Sequence, residues 1–158
     1  MYEKLRQQLE RDEGVRLRAY KDSLGLWTIG VGHLIDPAKG AKPPPEMLMP
    51  NGAIDTSCTI TQECCDTFLL QDINRTAEKL FMLLPWAEHL DDARQCVLLN
   101  MAFNMGVMGL LKFNNTLALI EGNKFEDAAV EMLKSTWAKQ VGKRAERLAE
   151  QMKTGIWQ

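Results

Sequence analysis

Apolar and polar positions recur along this chain with two different periods, and the change between them divides it. Met1, Tyr2, Leu5 and Leu9 fall at helical spacing among Glu3, Lys4, Arg6 and Glu10. They predict an amphipathic helix over about residues 3–11, stopped at Gly14 after Asp12 and Glu13. From Arg16 to Asp36 the period drops to two. Leu17, Ala19 and Lys21, a turn at Asp22-Ser23-Leu24-Gly25, and then Trp27, Ile29 and Val31 predict a small antiparallel sheet. Its faces are too short to hold a core, so it must lean on helices.

The longer period returns at Thr61, an N-cap with Glu63 and Asp66 placed to meet the positive end of a helix dipole. Cys65, Phe68, Leu69, Ile73, Ala77, Leu80 and Phe81 then predict one long helix over about residues 62–82, stopped near Pro85. Past Pro85 everything reads helical. Asp91 caps a helix at 92–104 that is apolar on nearly all sides through Cys96, Val97, Leu98, Leu99, Met101, Ala102 and Phe103, the pattern of a buried central helix. Shorter helices follow at 107–112, 116–121, 125–133, 136–140 and 143–153, with Gly155 behind the last. Met101, Met105, Met108 and Met132 read as core filler.

Residues 37–57 have no regular period. Pro43, Pro44 and Pro45 exclude helix and strand and favour an extended polyproline segment, and Pro50-Asn51-Gly52 signals a turn. The segment reads as a surface connection, with a substrate-groove rim as the sharper alternative. The whole is an α+β chain, mainly α. Residues 12–61 form a β-rich N-terminal lobe, 62–82 a connecting helix and 83–158 a helical C-terminal lobe on which helix 1–11 packs.

Composition changes this picture little. The 158 residues suit one domain, 1–158, and 46% hydrophobic with 25% charged residues is ordinary for a soluble globular protein. A formal charge of −2 offers no reason to expect nucleic acid as a partner. No apolar run approaches the ~18 residues of a membrane span. Charges interrupt the first helix too often for a signal peptide, so synthesis in a cytoplasm without an exporting leader is expected. Of the four cysteines, Cys64 and Cys65 are adjacent within a helix and point apart, and His33 and His89 are not spaced as ligands. Free thiols and no structural zinc are expected.

The candidate chemistry lies between Glu13 and His33. Glycoside hydrolysis needs two carboxyl groups about the scissile bond, one protonated to help the leaving group and one ionised. Glu13 at a helix end beside apolar neighbours and Asp22 in an exposed turn offer two environments for two roles, with Thr28 following among glycines. Spacing alone describes a surface helix end and a turn aspartate equally well.

More of the chain carries a likeness. The run from Glu13 through Tyr20, Lys21 and Asp22, then Thr28-Ile29-Gly30-Val31-Gly32-His33, closely resembles the phage T4-type lysozyme family. The likeness resumes at Gln71-Asp72, Asn100-Met101-Ala102-Phe103-Asn104-Met105-Gly106, Asp127-Ala128-Ala129-Val130, Lys134-Ser135-Thr136-Trp137, Arg144-Ala145 and Thr154-Gly155-Ile156-Trp157. It skips residues 37–58.

This resemblance implies a lysozyme-like fold with a cleft between lobes. It also implies a muramidase of endolysin type that hydrolyses the β-1,4 bond between N-acetylmuramic acid and N-acetylglucosamine. Glu13 is then the general acid, and Asp22 with Thr28 activates water. Inversion is implied, for which a carboxyl separation of ~6.5–9.5 Å is expected. Gly32, Asn104 and Arg144 would contact substrate, Asn104 being one methylene shorter than the family's glutamine, and His33 with Asp72 would form a structural ion pair. Trp137 is most simply core.

Neither metal nor other cofactor is implied. The partner is the glycan strand of bacterial peptidoglycan, met as a monomer without nucleic acid or stable membrane insertion. A holin would pass the enzyme from the host cytoplasm to the periplasmic wall, releasing phage progeny. Two rival readings are a silent wall-binding component of a phage particle and a lytic transglycosylase. The former has no chemical need for Glu13, Asp22 and Thr28 together, and the latter needs the acid but not a water-positioning pair.

Overall fold

In the computed structural model, which describes residues 2–158, the elements run α1 (Tyr2–Glu13), β1 (Arg16–Lys21), β2 (Trp27–Gly30), β3 (His33–Leu34), α2 (Gln62–Leu83), α3 (Asp92–Met105), α4 (Val107–Leu110), α5 (Asn114–Glu121), α6 (Phe125–Lys134), α7 (Thr136–Val141) and α8 (Lys143–Thr154). Met1, counted in the first helical pattern, lies outside the described residues. Short 3-10 turns occur at Pro37–Lys39, Pro45–Met47 and Pro85–His89. The chain falls into two compact units: Arg6–Asp72, and Ile73–Gln158 together with the start of α1 through Leu5.

In the first unit the sheet has the order β1-β2-β3, antiparallel throughout. Tyr20 faces Thr28 and Lys21 faces Trp27, while Ile29 faces His33. The Asp22 N–H donates to the Leu26 carbonyl at 2.9 Å, which carries the hairpin register into the turn. Between Arg16 and Tyr20 the register shifts, a bulge of the kind that re-aims side chains beside sites. The outer edge of β1 is not left open: Arg18 bridges Thr59, and the Ile60 N–H donates to Leu17 O at 2.8 Å.

β2 does not alternate as a half-exposed strand would. Thr28, Ile29 and Gly30 are all buried, so both faces of β2 are covered, and α2 approaches it at Gly30. A Cβ on Gly30 would sit 3.0 Å from Cys65 Sγ, and the residue holds φ +63°, so only glycine lets strand and helix approach this closely. Thr61 caps α2 by accepting from Cys64 N at 3.1 Å. Asp66 lies one turn further in, where it accepts from Gln62 Nε2 at 2.8 Å.

Residues 37–57 are mostly exposed, as a surface connection would be, but they also send side chains inward. Met47 is fully buried, Ile54 nearly so, and Leu48 pairs with Ile54 in an isolated bridge. The tri-proline does not exclude helix either, since Pro45 opens a 3-10 turn. The missing proline N–H costs nothing at a first helical position, where no intrahelical acceptor exists. Met47 and Ile54 thus anchor the segment, and truncating Met47 would cost about 2–5 kcal/mol.

In the second unit Asp91 caps α3, accepting from Arg94 N at 3.0 Å. Residues 96–102 are buried throughout. α8 packs against α6 and α3, and α5 against α6. Met101 and Met132 are fully buried, but Met108 is 59% exposed and is not core. α4 is a single turn; with Val107 and Leu110 turned inward, Met108 must face outward. Arg94 ties helix ends together. Its Nε and one η nitrogen donate to the carbonyls of Met152 (2.7 Å) and Lys153 (2.9 Å), the other η nitrogen to Asp91 Oδ2 (2.7 Å), and its plane lies over Phe125 at 3.8 Å. A Cβ on left-handed Gly155 would strike this guanidinium at 2.8 Å.

All four cysteines are free thiols, with Cys65 and Cys96 buried. Among the described residues no helix is long and apolar enough to cross a membrane.

Candidate active site

Glu13 is the last residue of α1. The Gly14 N–H bonds to Glu10 O at 3.0 Å and ends the helix, so the carboxylate is delivered, partly buried, just ahead of β1. Asp22 opens the hairpin turn. Its Oδ1 accepts from the backbone N–H groups of Leu24 (2.8 Å) and Leu26 (2.9 Å). That oxygen locks the turn, and Oδ2 takes no part in these two bonds. Thr28 is buried on β2, and its hydroxyl donates to Leu26 O at 3.1 Å, which leaves the oxygen as an acceptor.

Strand geometry brings two of these together. Side chains directly opposite in an antiparallel pair share a face, as do positions i and i+2. Tyr20, Asp22 and Thr28 therefore project from one face of the hairpin. Arg16 lies over the Tyr20 ring at 4.5 Å and Lys21 over Trp27 at 5.3 Å. Burial pushes the Tyr20 phenol above its ordinary range; Arg16 opposes, Glu13 and Asp22 add to the rise, and the Gly32 N–H acts against it. The phenol is thus a neutral O–H at working pH.

Gly32 is exposed in the turn between β2 and β3. His33 Nδ1 and Asp72 Oδ2 are 2.7 Å apart, and the imidazole stacks on Phe68 with centroids 4.4 Å apart and planes at 12°. Both partners belong to α2, so the third strand is pinned to that helix.

Asn104 and Arg144 belong to the other unit. Asn104 is exposed, and its Oδ1 accepts from Trp137 Nε1 at 3.0 Å. Trp137 is buried edge-on to Phe113 and lines a cavity of about 630 Å³ with Asn115, Ser135 and Thr136. Arg144 is 6% exposed, with Nε donating to Asn100 Oδ1 at 2.9 Å and an η nitrogen to Asn100 O at 3.3 Å. It sits in the first turn of α8, where the dipole disfavours a cation. The fully buried Asn100 supplies compensating acceptors.

Sequence reading assigned no role to Tyr20, Arg16 or Asn100. The signals were present: Tyr20 stands two residues before Asp22 in a period-two stretch, and Asn100 is a polar residue inside a helix otherwise apolar all round.

Comparison with known proteins places this geometry in context. Residues 10–153 match the family model described as Phage lysozyme. The "Probable T4-type lysozyme 1" of Dictyostelium discoideum is 32% identical over 98% of this chain and 96% of its own length. The pre-baseplate central spike protein of Enterobacteria phage T4 is 33% identical over 93% of this chain but only 27% of its own. An endolysin of Acyrthosiphon pisum secondary endosymbiont phage 1 is 28% identical, over 86% and 80% respectively.

Proposed function

Because the chain belongs to the phage lysozyme family and is a lysozyme-type glycoside hydrolase acting on peptidoglycan, we propose that Glu13, Asp22 and Thr28 carry its chemistry. In this reading Glu13 protonates the glycosidic oxygen between N-acetylmuramic acid and N-acetylglucosamine. Asp22 Oδ2 and the Thr28 oxygen hold the water that attacks the anomeric carbon from the opposite side, inverting it. The observation that supports this most is the turn. Asp22 is fixed through Oδ1 by two backbone amides while sharing a face with the Thr28 hydroxyl, an arrangement made for holding a small polar molecule. His33 and Asp72 hold the sheet to α2 and take no part in the reaction.

The biological setting follows from the same reading: a monomeric endolysin that reaches the wall once a holin has opened the membrane, and so releases phage progeny. The likeness to the central spike protein favours a second setting, the same hydrolase carried on a particle. Expression inside a Gram-negative host separates them. An endolysin lyses the cell when a membrane-permeabilising protein is supplied; a particle-borne hydrolase shows its activity only when assembled.

The chemical roles are tested by digesting purified peptidoglycan with the native enzyme and with Glu13→Gln and reading the products by mass spectrometry. The native enzyme yields reducing muramic ends, and the folded variant yields none. Undiminished cleavage by the variant would remove Glu13 from the mechanism, and anhydro-muramic ends would replace hydrolysis with transglycosylation.

A further inference from the structure

We infer that Tyr20, clamped beneath Arg16, is a positioning residue of the hydrolytic site, its hydroxyl orienting the reacting water and carboxylate on the face it shares with Asp22 and Thr28. The inference rests on the proposed roles of Glu13, Asp22 and Thr28 and extends them to a residue that chemistry alone would not nominate.

Three placements support it. Tyr20 is the direct cross-strand partner of Thr28, so the phenol ring and the threonine methyl and hydroxyl meet on one face. Asp22 follows at i+2 with the hairpin register unbroken between them, on the same side. The Arg16 guanidinium lies 4.5 Å from the ring centroid and occupies one of its faces. That contact holds the ring in place, and the hydroxyl is its one polar group.

The bulge between Arg16 and Tyr20 makes this clamp possible, since it resets which side chains of β1 oppose β2 just before the site begins. Electrostatics agree with the geometry: the Glu13 and Asp22 carboxylates both help to push the phenol's pKa up. A phenol that keeps its proton is an O–H donor. Around a water held by Asp22 and Thr28, that donor fixes the one direction the other two leave open. The step moves no proton to or from Tyr20; it orders the reactants before the bond breaks.

The test uses the full-length enzyme on soluble, uncrosslinked peptidoglycan, with initial rates resolved into kcat and KM. Tyr20→Phe keeps the ring, the cross-strand pair and the arginine clamp and removes one oxygen. The expected result is a loss of about tenfold in kcat, with KM within about twofold and Tm unchanged. Site-specific 3-fluorotyrosine at position 20 gives a second readout, because it preserves shape while making the phenol a stronger acid. An orienting donor responds with a change of about twofold or more in kcat, whereas a merely packed ring does not respond.

Native kcat for both variants overturns the inference. Glu13→Gln run alongside separates the two levels. An inactive Glu13→Gln with a fully active Tyr20→Phe sinks only the role of Tyr20, while an active Glu13→Gln sinks the reading of the site and this inference with it.

Discussion

Asp22 and Cys96 show how differently single residues in this chain are constrained. Asp22 uses one oxygen to lock its turn, and in the proposed mechanism the other holds water. An aspartate accepting from the amides two and four residues on is ordinary turn behaviour, so the sequence alone described it as well as it described a catalyst. Cys96 is constrained by burial. Burial pushes its thiol from 9.0 up to about 12, with the Asp92 carboxylate adding to the rise. An acid raised in the folded state binds its proton more tightly there than in the unfolded chain. Its stabilising effect is therefore complete below pH 9 and is lost as the pH climbs toward 12. Chemical denaturation between pH 8 and 11 should show stability declining through that window, and Cys96→Ala should flatten the decline. An identical slope in the variant would assign it to other groups, such as the tyrosines.

Among the elements, the helices were readable and the segment between the sheet and α2 was not. Asp91 and Thr61 announce α3 and α2 because a short polar side chain at an N-cap answers a need of the helix itself, local in sequence. Residues 37–57 have no such local logic: Met47 and Ile54 become core only because the fold brings other apolar groups over them. Met108 failed for the same reason in reverse, its exposure being set by the two buried neighbours of a one-turn helix. Arg94 is a third non-local case. Nothing near it in sequence says that it will satisfy the last carbonyls of α8, some 58 residues away. A cation donating to carbonyls at a helix C-terminus complements both the unmet acceptors and the dipole. Arg94→Met should therefore cost about 2–4 kcal/mol, with a Tm fall on the order of 5–10 °C by calorimetry. A change within experimental error would mean that water replaces the guanidinium without loss.

For the whole molecule, the near-neutral balance of 19 basic and 21 acidic residues governs the approach to an anionic wall. Long-range attraction of a basic enzyme to its substrate is screened by salt; a chain without that attraction has little to lose. Lytic rate measured from about 20 to 200 mM salt should fall less than for a strongly basic member of the same family, and an equally steep fall would show that local rather than net charge guides binding. The order of helices and sheet was legible because the hydrophobic period changes at only two places, near Arg16 and at Thr61. The proposed hydrolytic site came from likeness to a family far more than from physics, since three polar residues at modest spacing are common in proteins.

The turn at Pro50-Asn51-Gly52 has a use beyond its place in the fold. Met49 N donates to Ala53 O at 2.9 Å and Gly52 N to Met49 O at 2.8 Å, so the chain enters and leaves at nearly one point, with exposed residues between. A guest peptide spliced in after Asn51 adds little loop-closure entropy and disturbs no buried group. The turn is a grafting port: an affinity tag or a wall-targeting peptide inserted there should leave the melting temperature and lytic activity near native, and would equip the hydrolase with a cell-type address.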